Sequence, residues 1–274
     1  MAHPQIAVFA RLAKENSATT RVIAGQATKL SRTMHDIRYD AVHDEFFVGN
    51  PFAGAILAFR GGARGEEAPI RVIQGPDTQL EGPDRLEVDP INNEIFVPEG
   101  GDTILVYPRA GNGNVPPLRI IRGPNTQLRG IRSLAVDTTR NLLIGGTQAR
   151  INGVEQGVLL IYNRTDKGNV TPRAVIQGPH TEIIRITQLQ VYSPKGWIIA
   201  AQAGTHDEQE PEDGFVGVWS VNDNGDVPPR WRIERGKSTL MKPRGVVLDP
   251  QHKELIVSDM RRNAVLTFYF PEIF

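Results

Sequence analysis

A six-residue phrase recurs five times in this chain, and it constrains the fold more than any other feature. Each copy begins with Gly, has Thr at its fourth position and ends with an apolar residue; the copies start at Gly25, Gly75, Gly123, Gly178 and Gly236. Successive copies lie 50, 48, 55 and 58 residues apart. A period of this length is typical of proteins built from stacked or radially arranged repeat units.

Each repeat contains four short apolar runs. In the second repeat they cover residues 85–89, 94–97, 104–107 and 118–121, with Gly, Pro, Asn or Asp residues between them. Short runs of β-branched, aromatic and leucine residues bounded by turn residues indicate β-strands. Four strands in each of five repeats predict an all-β protein, a β-propeller with five four-stranded antiparallel blades.

The repeats fill the chain, so we expect one domain over residues 1–274. The repeat boundaries fall at approximately 31–80, 81–128, 129–183 and 184–241, and the last repeat combines 242–274 with 5–30. The C-terminal repeat has a third strand at 265–270 but no fourth, whereas residues 20–23 have the pattern of an unattached fourth strand. This pattern predicts a ring closed by the N-terminal strand.

One apolar run does not fit a five-bladed ring. Residues 6–9 have the pattern of a third strand, and five complete blades leave no place for it. A six-bladed ring with a partial blade therefore stays open as an alternative, since propellers of either size are common.

The threonine of the repeated phrase has a predicted structural role. Its hydroxyl can bond the backbone in a turn, and glycine and proline at the start of the phrase favour a turn at the same place. We therefore expect the phrase to join one blade to the next.

The composition excludes several function classes. Lys and Arg number 31, as do Asp and Glu, so no net field attracts nucleic acid or an anionic membrane. The chain has no cysteine, which excludes disulfides and thiolate zinc sites. No apolar run is long enough for a membrane helix. The N-terminus lacks a secretory signal pattern, so we expect a cytoplasmic protein, or a periplasmic or secreted one if a signal has been removed.

The strands of the last repeat, residues 243–249, 254–259 and 263–266, resemble those of NHL-type propeller repeats. The resemblance covers essentially the whole chain, which is also similar to gluconolactonase-like and YncE-like bacterial propellers. It implies a propeller fold. Members of this group range from protein-binding scaffolds to metal-dependent lactonases and lyases, so the resemblance does not select a function.

In a propeller, the starts of the first strands and the ends of the second strands reach the same end of the central channel, where a ligand site is expected. The polar residues at strand starts are His35, Asp36, Asp84, Arg85, Arg132, Gln188 and Arg244. Those at strand ends are Asn50, Glu99, Gln148, Gln202 and Asp259. Such residues can also bind ordered water without any further role.

Two functions follow from these residues. The first is a binding module that presents a polar, arginine-containing channel mouth to a small anionic ligand, a glycan or a peptide. Its ligand-binding residues would be Asp36, Arg85, Arg132, Gln148, Gln188, Gln202 and Arg244.

The alternative is a divalent-metal-dependent lactonase, hydrolase or lyase acting at the same mouth. Its Ca²⁺, Mg²⁺ or Mn²⁺ would be held by Asn50, Glu99 and Asp259, which offer the oxygen ligands that these ions prefer. The catalytic residues would be His35, Glu99 and Asp259, with His35 as general base. The sequence leaves open whether the protein is an enzyme, and whether it is a monomer or a homodimer.

Overall fold

The computed structural model describes residues 4–151, 154–205 and 208–274, and their regular structure consists of β-strands and single 3₁₀ turns. The strands are β1 (Gln5–Val8), β2 (Arg21–Ala24), β3 (Ile37–Asp40), β4 (Glu45–Asn50), β5 (Ala55–Arg60), β6 (Arg71–Gln74), β7 (Glu87–Asp89), β8 (Glu94–Glu99), β9 (Thr103–Pro108), β10 (Arg119–Arg122), β11 (Ile131–Asp137), β12 (Leu142–Ile151), β13 (Val154–Asn163), β14 (Ala174–Ile176), β15 (Ile186–Tyr192), β16 (Trp197–Gln202), β17 (Phe215–Ser220), β18 (Trp231–Glu234), β19 (Pro243–Asp249), β20 (Glu254–Asp259) and β21 (Ala264–Tyr269). None of the described residues forms a helix that could span a membrane.

The strands follow the predicted blade order. Four sheets have four strands each, in the orders β3-β4-β5-β6, β7-β8-β9-β10, β11-β12-β13-β14 and β15-β16-β17-β18. A fifth sheet has the order β19-β20-β21. Consecutive strands are neighbours throughout, which is the meander of a propeller blade and confirms the predicted five-blade, all-β fold.

The chain groups into two compact units. Unit 1 comprises the residues up to Glu99 together with Leu105–Leu118, and unit 2 comprises Gly100–Ile104 and Arg119–Phe274. The single domain expected over residues 1–274 stays a prediction.

The predicted completion of the last blade by residues 20–23 is not observed. Strand β2 instead pairs antiparallel with β1, with Ile6 opposite Ile23. Among the described residues, β20 is the strand partner of β21. The pairing of β1 with β2 closes a short loop, which costs less chain entropy than pairing with a strand at the far end of the sequence. The surplus pattern at residues 6–9 is accounted for by this two-stranded sheet.

The repeated phrase forms a 3₁₀ turn in four of its five copies, at Gln26–Thr28, Pro76–Thr78, Pro124–Thr126 and Pro179–Thr181. In the third copy the buried Thr126 hydroxyl donates to the carbonyl of Gly123 at 2.6 Å and accepts the N–H of Leu128 at 3.3 Å. The same pair of bonds recurs in the other three copies. The predicted role of the phrase threonine is confirmed.

The fifth copy of the phrase differs by one position. There the hydroxyl of Ser238, and not that of Thr239, donates to the carbonyl of Glu234 at 2.9 Å. It also accepts the N–H of Leu240 at 3.1 Å. The bond to the N–H two residues later is thus kept, but the carbonyl acceptor lies four residues back and not three.

Replacing Thr126 by valine should lower the free energy of unfolding by about 1–3 kcal/mol, because the buried N–H of Leu128 and the carbonyl of Gly123 would lose their partner. Urea unfolding followed by circular dichroism measures this change. Thr126→Ser keeps the hydroxyl and is the matched control. Equal losses in the two variants would mean that packing of the methyl group, and not the hydrogen bonds, stabilises the turn.

Apolar side chains pack between consecutive blades of unit 2. One cluster joins the β11–β14 and β15–β18 sheets and includes Ile144, Leu159 and Trp219. A second cluster joins β15–β18 to β19–β21 and includes Val218 and Val257. The three blades of unit 2 therefore bury faces against one another, which holds the starts of their first strands in fixed positions.

Candidate functional site

The first strands of the three blades in unit 2 share an irregularity close to their start. Their pairing register shifts between Ile131 and Ser133, between Ile186 and Gln188, and between Pro243 and Gly245. The bulged residues are therefore Arg132, Thr187 and Arg244. A β-bulge redirects a side chain and is frequent beside functional sites. Arg132 and Arg244, both predicted from the sequence, occupy the same structural position in their blades.

Four cationic side chains of unit 2 influence one another: Arg132, Arg185, Lys242 and Arg244, called here the cationic cluster. Burial lowers the pKa of the Arg244 guanidinium, and the charges of Arg185 and Arg132 lower this pKa further. The pKa of the Lys242 ammonium is lowered by burial and then by the charges of Arg185 and Arg244. Arg185 and Lys242 are buried, and Arg244 is half-buried.

The carboxylate of Glu208 acts on one member of this cluster, Lys242. No carboxylate among the described residues contributes to the lowered pKa of Arg244. Lys242 donates from Nζ to the backbone carbonyl of Glu208. The negative charge of the Glu208 side chain partly offsets the lowering of the Lys242 pKa. Like charges removed from water raise the free energy of the folded state. An anion at the cluster would reverse that effect.

The predicted residues at the second-strand ends of unit 1 bind backbone groups. Asn50 donates from Nδ2 to the carbonyl of Lys29 at 2.8 Å and accepts the hydroxyl of Ser31 at 2.6 Å. The Glu99 carboxylate accepts the N–H groups of Glu81 and Gly82, at 3.2 Å and 3.3 Å. These side chains therefore fix the chain segment that follows the 3₁₀ turn.

The equivalent residues of unit 2 do the same. Gln202 donates from Nε2 to the carbonyl of Glu182 at 2.7 Å and accepts the N–H of Ile184 at 2.6 Å. Asp259 accepts four backbone N–H groups, those of residues 241, 242, 261 and 262. A metal at Asn50, Glu99 or Asp259 would have to replace such bonds, and the predicted Ca²⁺, Mg²⁺ or Mn²⁺ site stays a prediction.

His35 pairs with a carboxylate different from its sequence neighbour. Its Nδ1 lies 3.1 Å from Oδ2 of Asp84, and both side chains are partly exposed. Asp36 points elsewhere, as expected for adjacent strand residues. The role of His35 as a general base stays a prediction.

Asp36 belongs to a buried charge cluster of unit 1, the Asp36–Arg38–Glu87 triad. Its Oδ2 lies 3.4 Å from a terminal nitrogen of Arg38, whose Nε lies 3.1 Å from Oε2 of Glu87. Arg85, also predicted as a ligand residue, is buried in the same unit. Arg38 and Glu87 were not predicted from the sequence, because both lie inside predicted strands and not at strand starts.

The two remaining predicted ligand residues also have structural neighbours. Gln188 accepts the N–H of Val246 through Oε1 at 2.5 Å, which links the β15 and β19 strands. The backbone N–H of Gln148 donates to the carbonyl of Gly130 at 2.9 Å. Gln148 and Gln188 thus help to position the bulged strand starts.

Two members of the cationic cluster, Arg185 and Lys242, were not predicted from the sequence. Arg185 and Lys242 each lie one residue before their first strand, at equivalent positions. Arg185 lies two residues before Thr187, and Lys242 lies two residues before Arg244, so both precede the strand-start residues named from the sequence.

A possible metal cluster lies in the turn between β19 and β20. Asp249, His252 and Glu254 each offer a ligand atom within 4.8 Å of the others. The Asp–His pair, at 2.7 Å, recurs at Asp40–His43, and an arginine takes the histidine position at Asp137–Arg140. This recurrence indicates that the side chain three residues after the aspartate stabilises the turn in these three blades.

No protein-family model and no curated protein matches this chain. Among solved structures, a chain of a crystal structure of the Mitotic Checkpoint Complex is similar, with a TM-score of 0.57 at 13% sequence identity. The match covers 88% of this chain and 62% of that chain, so the protein spans less than two thirds of the matched chain. Similarity at this identity shows the fold alone. Together with the five sheets, it defines the class: an all-β protein of the β-propeller fold. The NHL-type, gluconolactonase-like and YncE-like resemblance stays a prediction.

Proposed function

We propose that the protein is a binding module whose cationic cluster takes a small anionic ligand. The observation that carries the proposal is the convergence of Arg132, Arg185, Lys242 and Arg244 at the starts of three first strands of unit 2. Two of these residues are bulged, and two are buried. Burial of like charges is costly, and a bound anion would offset the cost.

The chemistry of the cluster favours a carboxylate or a phosphate. A guanidinium group binds either of them through two parallel hydrogen bonds, and it is less strongly hydrated than an ammonium group. Arg185 and Lys242 are held by their surroundings, so little side-chain entropy is lost on binding. A neutral glycan would bring no negative charge to the cluster.

Arg244→Gln should leave the protein equally stable or more stable without a ligand, because it removes a charge that Arg185 and Arg132 disfavour. The same change should weaken the binding of inorganic phosphate and citrate by at least about tenfold, equivalent to about 1.4 kcal/mol. Melting scans with phosphate, citrate or chloride at matched ionic strength measure both effects, because a ligand that binds the folded state raises Tm.

The control is Arg122→Gln, which removes an exposed arginine at the end of β10 in the same unit. It should change neither the stability nor the response to anions. If Arg244→Gln lowers Tm and leaves the response to phosphate and citrate intact, Arg244 is a structural residue and the proposal fails.

A further inference from the structure

The last blade differs from the other four in its outer edge. Its sheet ends at β21, and among the described residues β20 is the only strand that pairs with it. In the four complete sheets a fourth strand occupies this position. Strand β21 therefore presents an edge whose hydrogen-bonding groups are available to another strand.

The outer strands of the complete blades carry features that discourage pairing. A proline precedes each of these strands, and an arginine follows the proline within two residues. The pairs are Pro69 and Arg71, Pro117 and Arg119, Pro172 and Arg173, and Pro229 and Arg230. Proline and long charged side chains are the usual protection of an edge strand.

No proline introduces strand β21, and the nearest arginine, Arg262, lies in the preceding turn, where its Nε donates to the carbonyl of Thr239. Its sequence Ala-Val-Leu-Thr-Phe-Tyr has no charge, no proline and no glycine. Val265 is 69% exposed and Tyr269 is 72% exposed. A regular, uncharged edge of this kind is the type of segment that pairs with another strand.

We propose that two copies of this chain associate through β21, which pairs antiparallel with itself across a two-fold axis. The axis lies between Leu266 and Thr267, so that Leu266 faces Thr267 of the second copy and Ala264 faces Tyr269. The two three-stranded sheets then form one sheet of six strands. An isologous contact of this kind closes on itself and uses the β21 edge of both copies.

Charge at the two ends of the strand favours the antiparallel arrangement. Arg261 and Arg262 precede β21, and the exposed Glu272 follows it. In the proposed register these arginines of one copy lie near Glu272 of the other. Arg261 already pairs with Glu210 of its own chain at 2.7 Å, so Arg262, whose Nε donates to the carbonyl of Thr239, carries the charge that Glu272 would meet. A parallel arrangement would place arginine beside arginine, which costs free energy. The ends of the strand are thus self-complementary, which identifies a second copy of the chain as the partner.

The test is the mass of the full chain, measured by sedimentation over a wide range of protein concentration. We expect a dimer that dissociates on dilution. Thr267→Lys places two like charges beside the two-fold axis and should raise the dissociation constant by at least about tenfold. Thr267 is exposed, so the monomer should keep its circular dichroism spectrum and its Tm.

Ser258→Lys is the matched control, because Ser258 is an exposed residue of β20, inside the same sheet. It should leave the dimer intact. If both lysine variants dissociate the dimer equally, the copies pack face to face, and strand pairing is wrong. A monomer at every concentration, or a dimer that Thr267→Lys does not weaken, would also overturn the proposal. Because β21 contains no residue of the cationic cluster, neither result affects the proposed anion binding.

Discussion

Replacing Gly130 by alanine should destabilise the protein by about 3 kcal/mol or more, since a new methyl group would overlap backbone that cannot move freely. Gly130 has a φ of +63°, and a Cβ at this residue would lie 1.8 Å from the carbonyl oxygen of Gln148. The carbonyl of Gly130 also accepts the N–H of Gln148 at 2.9 Å. Any shift that relieves the overlap would strain this bond. Chemical denaturation of the variant measures the loss.

Gly168→Ala separates the overlap from the cost of the backbone conformation. Gly168 has a φ of +71°, yet a Cβ there would meet no atom within 4 Å. Its substitution should cost only the left-handed conformation, about 1–2 kcal/mol. If Gly130→Ala is no worse than Gly168→Ala, the close approach of Gly130 to Gln148 does not determine stability.

Arg38→Met should also destabilise the protein strongly, by about 3–5 kcal/mol at neutral pH, since it leaves two carboxylates buried without their cation. Arg38 lies between Asp36 and Glu87, and it donates from Nε to the carbonyl of Leu86 at 3.0 Å. Methionine fills a similar volume without charge. Urea unfolding at several pH values measures the change.

The loss of unfolding free energy caused by Arg38→Met should grow as the pH rises. Burial raises the pKa of Glu87 from 4.5 to about 7; Arg38 opposes this rise, while Asp36 and Asp89 add to it. Because Glu87 ionises near its ordinary pKa when unfolded, the stability of the unmodified protein should fall between pH 4.5 and about 7 and then level off. The raised pKa of Glu87 corresponds to a change of at most about 3 kcal/mol in the free energy of unfolding.

Glu87→Gln is the control for this pH dependence. Glutamine resembles the protonated acid and does not ionise. The free energy of unfolding of the variant should therefore change little between pH 4.5 and about 7. It should be at least as stable as the unmodified protein at pH 8. A stability of the unmodified protein that stays constant from pH 4.5 to 7 would contradict the raised pKa of Glu87.

The fold could be predicted because its signals are local. The phrase glycine and threonine bond within one turn, and each strand is bounded by its own turn residues. Pairing at the ends of the chain was not predictable in this way. Both β1 and β21 have third-strand patterns, so the sequence offers β2 two equivalent partners, and loop-closure entropy decides between them.

The candidate site was only partly visible in the sequence. Arg132 and Arg244 could be named from their place at strand starts, but the bulges that distinguish them depend on the register of pairing. Polar residues at the second-strand ends were ambiguous for a chemical reason: oxygens that suit a divalent ion suit backbone N–H groups equally well. The bonds of Asn50 and Asp259 show the second use.

The most direct test of the account is calorimetric titration of the full chain with citrate and with inorganic phosphate, alongside the double variant Arg132→Gln/Arg244→Gln. We expect saturable binding of at least one of these anions to one site, weaker at higher salt and weaker by at least about tenfold in the double variant. No saturable binding of either anion, or equal binding by the double variant, would contradict the assignment of the cationic cluster as a ligand site.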